Sequence, residues 1–316
     1  MKKETKILIT GCTGFIGSKI INELLQYSNV KIIGIGRKEK INNDNIKYYS
    51  GDICDNHLLE KVFDENAPID YVFHLAAIVH NNLKDAEYED YYKINYLASK
   101  NLFEKAKSHN VKHVIFFSTV EVYENSRKDF NCLNEEVEVK PTSNYAKTKF
   151  LAEKSLEQLN IPYTILRLAP VYDRDFLLNI SKRVSLLKNR IFVEITGYNF
   201  KYSLLACQNI LKVTKEILKD NNSFIGVYNL ADEKIYSQKD IINYIKSIEK
   251  KPALNIKVNL RVIEMILDMI EKIADTIFKN NIFKVSNLYK MKENRIYSVK
   301  KIREVGIKLK NHLVDV

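Results

Sequence analysis

Two side chains that can exchange protons, Tyr145 and Lys149, lie four residues apart in a stretch with helical spacing. Both side chains therefore face the same side of the predicted helix. A free phenol has a pKa near 10 and is a poor base at neutral pH, but a nearby ammonium group favours the phenolate. The pair is a candidate for moving a proton to or from an alcohol while a hydride is transferred at its carbon.

A glycine-rich segment near the N-terminus is the second candidate for chemistry. Its glycines follow the spacing G-x-x-G-x-x-G between a strand-like run and a helix-like run. Glycines allow a tight turn, close approach of a pyrophosphate and close packing of the helix on the strand, and the helix N-terminus offers free N–H groups to phosphate. We therefore predict a dinucleotide site here. Its predicted contacts are Gly11, Thr13, Gly14, Phe15, Ile16 and Gly17.

The end of the second predicted strand bears on the choice between NAD and NADP. An acidic residue at this place would bind the ribose 2′-hydroxyl of NAD, whereas an arginine suits the 2′-phosphate of NADP. The sequence carries Arg37 and Lys38 here, and the first acidic residue is Glu39. We favour NADP as the cofactor. The alternative is NAD, with Arg37 as a solvated surface charge.

The elements around these candidates alternate between short apolar strands and helices of about 10–15 residues, which is typical of βαβ units and a parallel sheet. We predict an α/β fold with a Rossmann-type doubly wound sheet. Residues 1–172 are assigned to the dinucleotide-binding domain, and residues 173–316 mainly to a smaller, interleaved substrate-binding lobe. Strands are expected to return at Gly226–Leu230 and Arg295–Ser298, and polar residues every three or four positions predict an amphipathic helix over Leu260–Phe278.

Six ordered segments resemble the extended short-chain dehydrogenase/reductase family, in its NAD(P)-dependent epimerase/dehydratase group. The likeness runs along nearly the whole chain, and the C-terminal half resembles bacterial enzymes that epimerise or reduce C4 of nucleotide sugars for surface polysaccharides. Glu124 and Asp173 replace glycines that the family carries. The segments are Thr10–Gly17, Gly51–Asp55, His74–Ala77, Ser118–Tyr123, Tyr145–Lys149 and Leu166–Tyr172.

The resemblance implies a role for each catalytic candidate. Tyr145 would act as the acid and base, Thr119 would hydrogen-bond the reacting oxygen, and Lys149 would also bind the ribose hydroxyls of the cofactor. His74 and Asn95 are interpreted as structural or cofactor-adjacent residues. The further implied cofactor contacts are Asp52 and Ile53 at the adenine, Leu75, Ala76 and Ala77 at the pyrophosphate and ribose, and Pro170 and Val171 at the nicotinamide.

Three more residues are candidates on the substrate side, with Thr119 and Tyr145. Glu121 matches a base that removes the proton beside a keto group in dehydratases and decarboxylases, although Val120 replaces the acid that many dehydratases carry; a solvated carboxylate is the alternative. Asn179 and Lys201 match positions that hold a sugar-nucleotide diphosphate. A lysine supplies charge there without the bidentate fork of an arginine.

The net charge of the 316 residues is +11, which invites a nucleic-acid interpretation. Residues 251–316 contribute +7 of this charge, and no nucleic-acid-binding motif accompanies it. We expect phosphorylated small molecules as partners, with membrane contact of the basic C-terminal region as an alternative.

The four cysteines are widely spaced without a CxxC pair, so neither a metal site nor a disulfide framework is predicted. No membrane-spanning segment is predicted, and we expect a cytoplasmic homodimer formed through helices 90–108 and 143–159.

The sequence thus predicts a nucleotide-sugar epimerase or 4-ketoreductase with hydride transfer at C4. A 4,6-dehydratase or decarboxylase that uses Glu121 is the alternative within the same family. A non-catalytic cofactor-binding scaffold or sensor is the alternative from another class, and the intact set of Thr119, Tyr145 and Lys149 argues against it.

Overall fold

A computed structural model describes residues 4–37, 43–79, 86–128, 131–266, 269 and 295–313. In the described part of the chain, seven parallel strands form a central sheet in the order β3-β2-β1-β4-β5-β6-β11. This order confirms the predicted doubly wound α/β fold. The strands of this sheet are β1 (Thr5–Thr10), β2 (Val30–Gly36), β3 (Ile46–Ser50), β4 (Tyr71–His74), β5 (His113–Thr119), β6 (Tyr163–Leu168) and β11 (Gly226–Leu230).

Helices cover both faces of the sheet, as the buried alternation of β1 requires. Ile7 and Ile9 face one apolar core and Leu8 faces the other. The helices are α1 (Phe15–Leu24), α2 (Asn56–Asn66), α3 (Tyr88–Tyr91), α4 (Ala98–Ser108), α5 (Asn144–Glu157), α6 (Leu178–Ser181), α7 (Cys207–Lys219), α8 (Gln238–Glu249) and α9 (Lys300–Glu304). A π-helical segment, Tyr92–Leu97, joins α3 to α4, and two 3-10 segments are Val120–Lys128 and Asn221–Ser223.

Shorter strands form two further sheets, mostly in the part of the chain predicted as the substrate-binding lobe. One pair joins β7 (Val171–Tyr172) and β10 (Leu205–Ala206), and a second sheet joins β8 (Ser185–Leu186), β9 (Ile191–Thr196) and β12 (Leu254–Asn259). The prediction of a regular strand over Arg295–Ser298 is wrong. Arg295 and Tyr297 form isolated bridges to Tyr202 and Leu133 instead of a ladder.

The predicted helix over Leu260–Phe278 is described only in part. Residues 260–266 are helical, and most of the remaining prediction lies outside the described residues. The division of the chain at residue 172 stays a prediction. The return of β11 beside β6 places residues from the C-terminal half in the central sheet, as the expected interleaving requires.

Candidate active site

The glycine turn lies directly against the loop that follows β4. Gly11 has φ +68°, and a Cβ atom on it would lie 2.8 Å from the backbone N of Ala76. A side chain at Gly17 would meet the Gly11 carbonyl oxygen. Any larger residue would therefore push the turn away from the loop or from α1. These contacts explain the glycine spacing by close approach of backbone to backbone.

The N-terminus of α1 opens from this turn without a side-chain cap at Gly14. First-turn amides of a helix have no intrahelical acceptor, and together with the helix dipole they favour an anion. Gly11, Gly14 and the start of α1 at Phe15 thus form a cradle of backbone. The residues present fit the pyrophosphate of a dinucleotide.

Among the described residues, the end of β2 is polar and none of its residues up to Arg37 is acidic. A Cβ on Gly36 would lie 3.0 Å from the hydroxyl oxygens of both Thr13 and Tyr48, so the strand end is crowded by two hydroxyl groups. Arg37 follows as an exposed residue. Asp52 is engaged in its own loop, where its Oδ1 accepts a hydrogen bond of 2.9 Å from the Cys54 amide.

Buried polar groups hold the loop of Leu75, Ala76 and Ala77. His74 Nδ1 lies 2.6 Å from Thr10 Oγ1, and its Nε2 lies 2.7 Å from Ser99 Oγ. Burial holds the pKa of His74 well below its usual value, so the ring is neutral and structural. Asn95, in the π-helical segment, clamps Ile78 by accepting from its N–H at 2.8 Å and donating to its carbonyl at 3.0 Å.

The structure brings Thr119 and Tyr145 together at the carboxyl end of the sheet, where the two side chains share a hydrogen bond. Thr119 is the last residue of β5, and Tyr145 lies in the first turn of α5, which is capped by Ser143. Burial raises the pKa of the Tyr145 phenol, the Glu121 carboxylate raises it further, and the hydrogen bond with Thr119 opposes both. The phenol is therefore protonated at neutral pH and needs a nearby positive charge to become a base.

Lys149 follows Tyr145 by one helical turn on α5. It is 1% exposed, and its Nζ lies 3.9 Å from the centre of the Phe116 ring. Burial lowers the pKa of Lys149 to about 7, and the Glu153 carboxylate opposes this change. The ammonium group therefore titrates within the physiological pH range.

The free energy of unfolding of the cofactor-free protein should depend on pH because Lys149 is buried. Its folded pKa of about 7 lies below its ordinary value of 10.5, so only the unfolded chain keeps the proton between these two pH values. Folding stability then rises with pH from about 7, by up to about 1.4 kcal/mol per unit. Lys149→Met should lose this rise, and the free energy of unfolding in urea at pH 7 and pH 8.5 measures it.

The matched control for this test is Lys147→Met on the same helix, because Lys147 is exposed. It should keep the pH dependence of the natural protein. Equal pH dependence in the natural protein and in Lys149→Met would show that Lys149 keeps its ordinary pKa.

A buried ion pair begins one helical turn after Lys149 on α5. Glu153 Oε2 accepts a hydrogen bond of 2.7 Å from Arg167 Nη2, and its Oε1 accepts one from Ser118 Oγ. Arg167 Nη1 donates to the Tyr123 hydroxyl at 2.7 Å, which donates to Asn229 Oδ1 at 3.0 Å. The group ties α5 to β5, β6 and β11. Sequence reasoning placed Arg167 inside the segment Leu166–Tyr172 and did not pair it with Glu153, although a charge in an apolar strand is itself a signal for a buried partner.

Two arginines that sequence reasoning missed as site residues, Arg183 and Arg295, lie near each other, and Arg183 lies near Glu121. The Arg183 guanidinium lies 5.4 Å from the centre of the Tyr202 ring, and its Nε donates to the Asn179 carbonyl at 3.2 Å. Arg295 forms a bridge with Tyr202. Burial lowers the pKa of the Arg183 guanidinium. The nearby charge of Arg295 lowers this pKa further, and the Glu121 carboxylate opposes both effects. Two cations therefore lie near the carboxylate that also acts on Tyr145.

The two predicted diphosphate ligands take different positions. Asn179 Nδ2 donates to the Val171 carbonyl at 2.9 Å and so holds α6 beside β7. Lys201 is exposed. Because Arg295 N bonds the Lys201 carbonyl at 3.5 Å, the backbone of Lys201 supports the segment that carries Arg295.

Among residues 4–37, 43–79, 86–128, 131–266 and 295–313, no cluster of His, Cys, Asp and Glu could hold a metal. In the same described residues, no helix is long and apolar enough to cross a membrane.

The parallel sheet, the glycine cradle and the set of Thr119, Tyr145 and Lys149 define a dinucleotide-dependent α/β enzyme. Residues 7–190 match the NAD dependent epimerase/dehydratase family. The chain belongs to this family, as the sequence motifs predicted.

Relatives in this family carry more than one activity. The chain is 30% identical over 283 residues to the dTDP-D-glucose 4,6-dehydratase of Homo sapiens, covering 78% of this chain and 80% of that protein. It is 26% identical over 279 residues to the UDP-glucose 4-epimerase of Halalkalibacterium halodurans, covering 78% and 81%.

Solved structures share the fold. The Bordetella bronchiseptica enzyme WbmG in complex with NAD has a TM-score of 0.74 at 19% identity, covering 98% of this chain and 90% of that one. The UDP-glucuronic acid 4-epimerase from Bacillus cereus, in complex with UDP-glucuronic acid and NAD, has a TM-score of 0.66 at 24% identity, covering 81% and 86%.

Proposed function

We propose that the protein is a nucleotide-sugar 4-epimerase that transfers hydride at C4 of the sugar, with Tyr145 as the acid and base. The observation that carries the proposal is the hydrogen-bonded pair of Thr119 and Tyr145, with Lys149 one turn away and with Glu121 near both Tyr145 and Arg183. This arrangement offers proton transfer at one end of a ligand and anion binding at the other. A role in surface polysaccharide synthesis fits such an activity.

A bound nicotinamide would supply the hydride acceptor and donor. Tyr145 takes the proton of the C4 hydroxyl when the hydride leaves and returns it when the hydride comes back. Thr119, which shares a hydrogen bond with Tyr145, would hydrogen-bond the same C4 oxygen. The buried Lys149 supplies positive charge that favours the phenolate during the transfer. By resemblance, this lysine also binds the ribose hydroxyls and so couples cofactor binding to acid–base chemistry.

Arg183 and Arg295 are proposed to bind the diphosphate of the substrate. Guanidinium groups bind phosphate through paired N–H donors, which a lysine cannot match. The half-buried Arg183 is held over Tyr202, whereas Lys201 is exposed and would act at the rim. Asn179 would act through the loop that it fixes beside β7.

A 4,6-dehydratase is the second candidate, and the position of Glu121 favours it. This carboxylate lies close enough to Tyr145 to raise its pKa, so it could remove a proton from a carbon next to C4. Relatives with the dehydratase name reach 30% identity. A 4-ketoreductase or a decarboxylase would use the same residues, and the products distinguish these reactions.

NADP remains our preferred cofactor because of Arg37. The described residues at the end of β2 include no carboxylate to bind the ribose 2′-hydroxyl, and Arg37 lies exposed at this end. The solved neighbours were crystallised with NAD, so NAD is the alternative. Cofactor choice does not alter the proposed role of Tyr145.

We also propose a homodimer through α4 and α5. Three tyrosines form a row along this side of the molecule, with ring centres 5.7 Å apart for Tyr88 and Tyr92 and 5.0 Å apart for Tyr92 and Tyr96. A groove between the helices is lined by Tyr96, Lys100, Glu104, Leu151, Lys154, Ser155, Gln158 and Leu159. A second copy would cover this aromatic row.

Sedimentation at twice the mass of the 36.9 kDa chain is expected for this dimer, and a monomeric mass would contradict the proposal.

The test of function is incubation with UDP-, dTDP- and GDP-hexoses, supplied with NAD or NADP, and analysis of the products by mass spectrometry and NMR. We expect an isomer of unchanged mass from at least one sugar. Loss of water would indicate the dehydratase. A protein that binds the dinucleotide but neither binds nor converts any sugar of the panel would overturn the proposal.

A further inference from the structure

A second contact joins the glycine turn to the substrate side of the chain. The ring of Phe15, the first residue of α1, stacks on the ring of Phe176 with centres 4.5 Å apart and planes 20° apart. Phe176 closes a tight turn that follows β7, in which Asp173 and Phe176 exchange two backbone hydrogen bonds of 3.0 and 3.2 Å. The stack therefore lies where the cradle for the pyrophosphate begins.

Charged groups reinforce this stack on one side. Lys19 Nζ, one turn along α1 from Phe15, lies 3.1 Å from Asp175 Oδ2 and 3.7 Å from Asp173 Oδ1. Asp173 is 5% exposed and is also held from α7, since Gln208 Nε2 donates to its Oδ2 at 3.2 Å. We call Phe15, Lys19, Asp173, Asp175 and Phe176 the clasp.

The position of the clasp relates it to a bound dinucleotide. On one side, Phe15 belongs to the first turn of α1, whose amides form the anion cradle. On the other side, the turn 173–176 directly follows Val171, which the resemblance places at the nicotinamide. The clasp therefore links the start of the predicted pyrophosphate cradle to the segment that the resemblance places at the nicotinamide. A dinucleotide bound between these two places would be held on this side by the turn 173–176.

We propose that the clasp retains the dinucleotide between turnovers. This inference rests on the proposed function and extends it, because a retained cofactor must be restored within each catalytic cycle. An epimerase or a dehydratase restores it, since the hydride that leaves the sugar returns to it. A ketoreductase would have to open the clasp for each turnover to exchange its cofactor.

The test measures dissociation of the cofactor and needs no sugar substrate. The natural protein is loaded with NADH or NADPH, whichever binds more tightly, and the loss of bound-nicotinamide fluorescence is followed after dilution into excess oxidised dinucleotide. Phe176→Ala should raise the dissociation rate about tenfold, because it removes the ring that stacks on Phe15. Phe176→Tyr keeps the ring and should stay within about twofold of the natural rate.

Asp175→Asn is the second variant, because the exposed Asp175 side chain can be changed without disturbing the core. It should raise the dissociation rate by about twofold to fivefold, as expected for one exposed ion pair. Natural dissociation rates in both Phe176→Ala and Asp175→Asn, with unchanged melting temperatures, would overturn the clasp and leave the proposed function intact. Failure of the natural protein to bind either dinucleotide would instead contradict the proposed function.

Discussion

Phe in place of Tyr145 should lower kcat by about 10²–10⁴-fold, the usual contribution of a positioned acid and base. The substitution removes one hydroxyl and leaves the ring in its site beside Thr119. Binding of the dinucleotide should change little, because its cradle is built from the backbone around Gly11 and Gly14. Initial rates of nucleotide-sugar conversion and a separate binding titration of the cofactor give the two quantities.

The matched control is Tyr27→Phe, which removes the same atom from a side chain that is 41% exposed. This variant should keep the natural kcat. A Tyr145→Phe variant that turns over within a few-fold of the natural protein would show that another group moves the proton. Glu121 would then be the next residue to change, since it lies on the same side of the phenol.

Glu153→Gln should lower the free energy of unfolding by about 3–5 kcal/mol. The carboxylate is fully buried and holds Arg167 at 2.7 Å. A neutral amide leaves the guanidinium charge in the interior without its counter-ion, which costs more than the pair itself contributes. Chemical denaturation monitored by circular dichroism measures the change. Because Lys149 lies one turn away, the variant should also lose activity even where it remains folded.

Glu157→Gln provides the comparison on the same helix. Lys154 and Glu157 form an ion pair of the same 2.7 Å length, but their side chains are 50% and 25% exposed. Such surface pairs contribute about 0–1 kcal/mol. Equal destabilisation by Glu153→Gln and Glu157→Gln would show that burial of the Glu153–Arg167 pair has no energetic consequence.

Local sequence signals were sufficient for the cofactor end of the site. The glycine turn, Phe15 and the strand before them are contiguous, so spacing alone predicts a strand, a turn and a helix. Tyr145 and Lys149 are likewise four residues apart on one helix. The edge strand β3 was missed because only Ile46 is buried among its five residues, which leaves a weak alternation.

Contacts between distant segments could not be predicted in the same way. Arg183 and Arg295 meet beside Tyr202 only because the chain returns there with Arg295, 93 positions after Tyr202. Lys19 and Asp175 are 156 positions apart, and no periodicity relates them. The pairing of Glu153 with Arg167 depends on the register of β5 and β6, which places Ser118 opposite Arg167. The neighbours of these side chains therefore follow from the fold rather than from motifs.

The central claim is that hydride leaves C4 of a nucleotide sugar and returns to the same carbon. The most direct measurement uses the best substrate of the panel with deuterium at C4 and locates the label in the product by NMR. We predict an epimer of unchanged mass that keeps its deuterium at C4, even when unlabelled oxidised cofactor is in excess. Deuterium found at C6 of a dehydrated product, or lost from the sugar, would contradict the account.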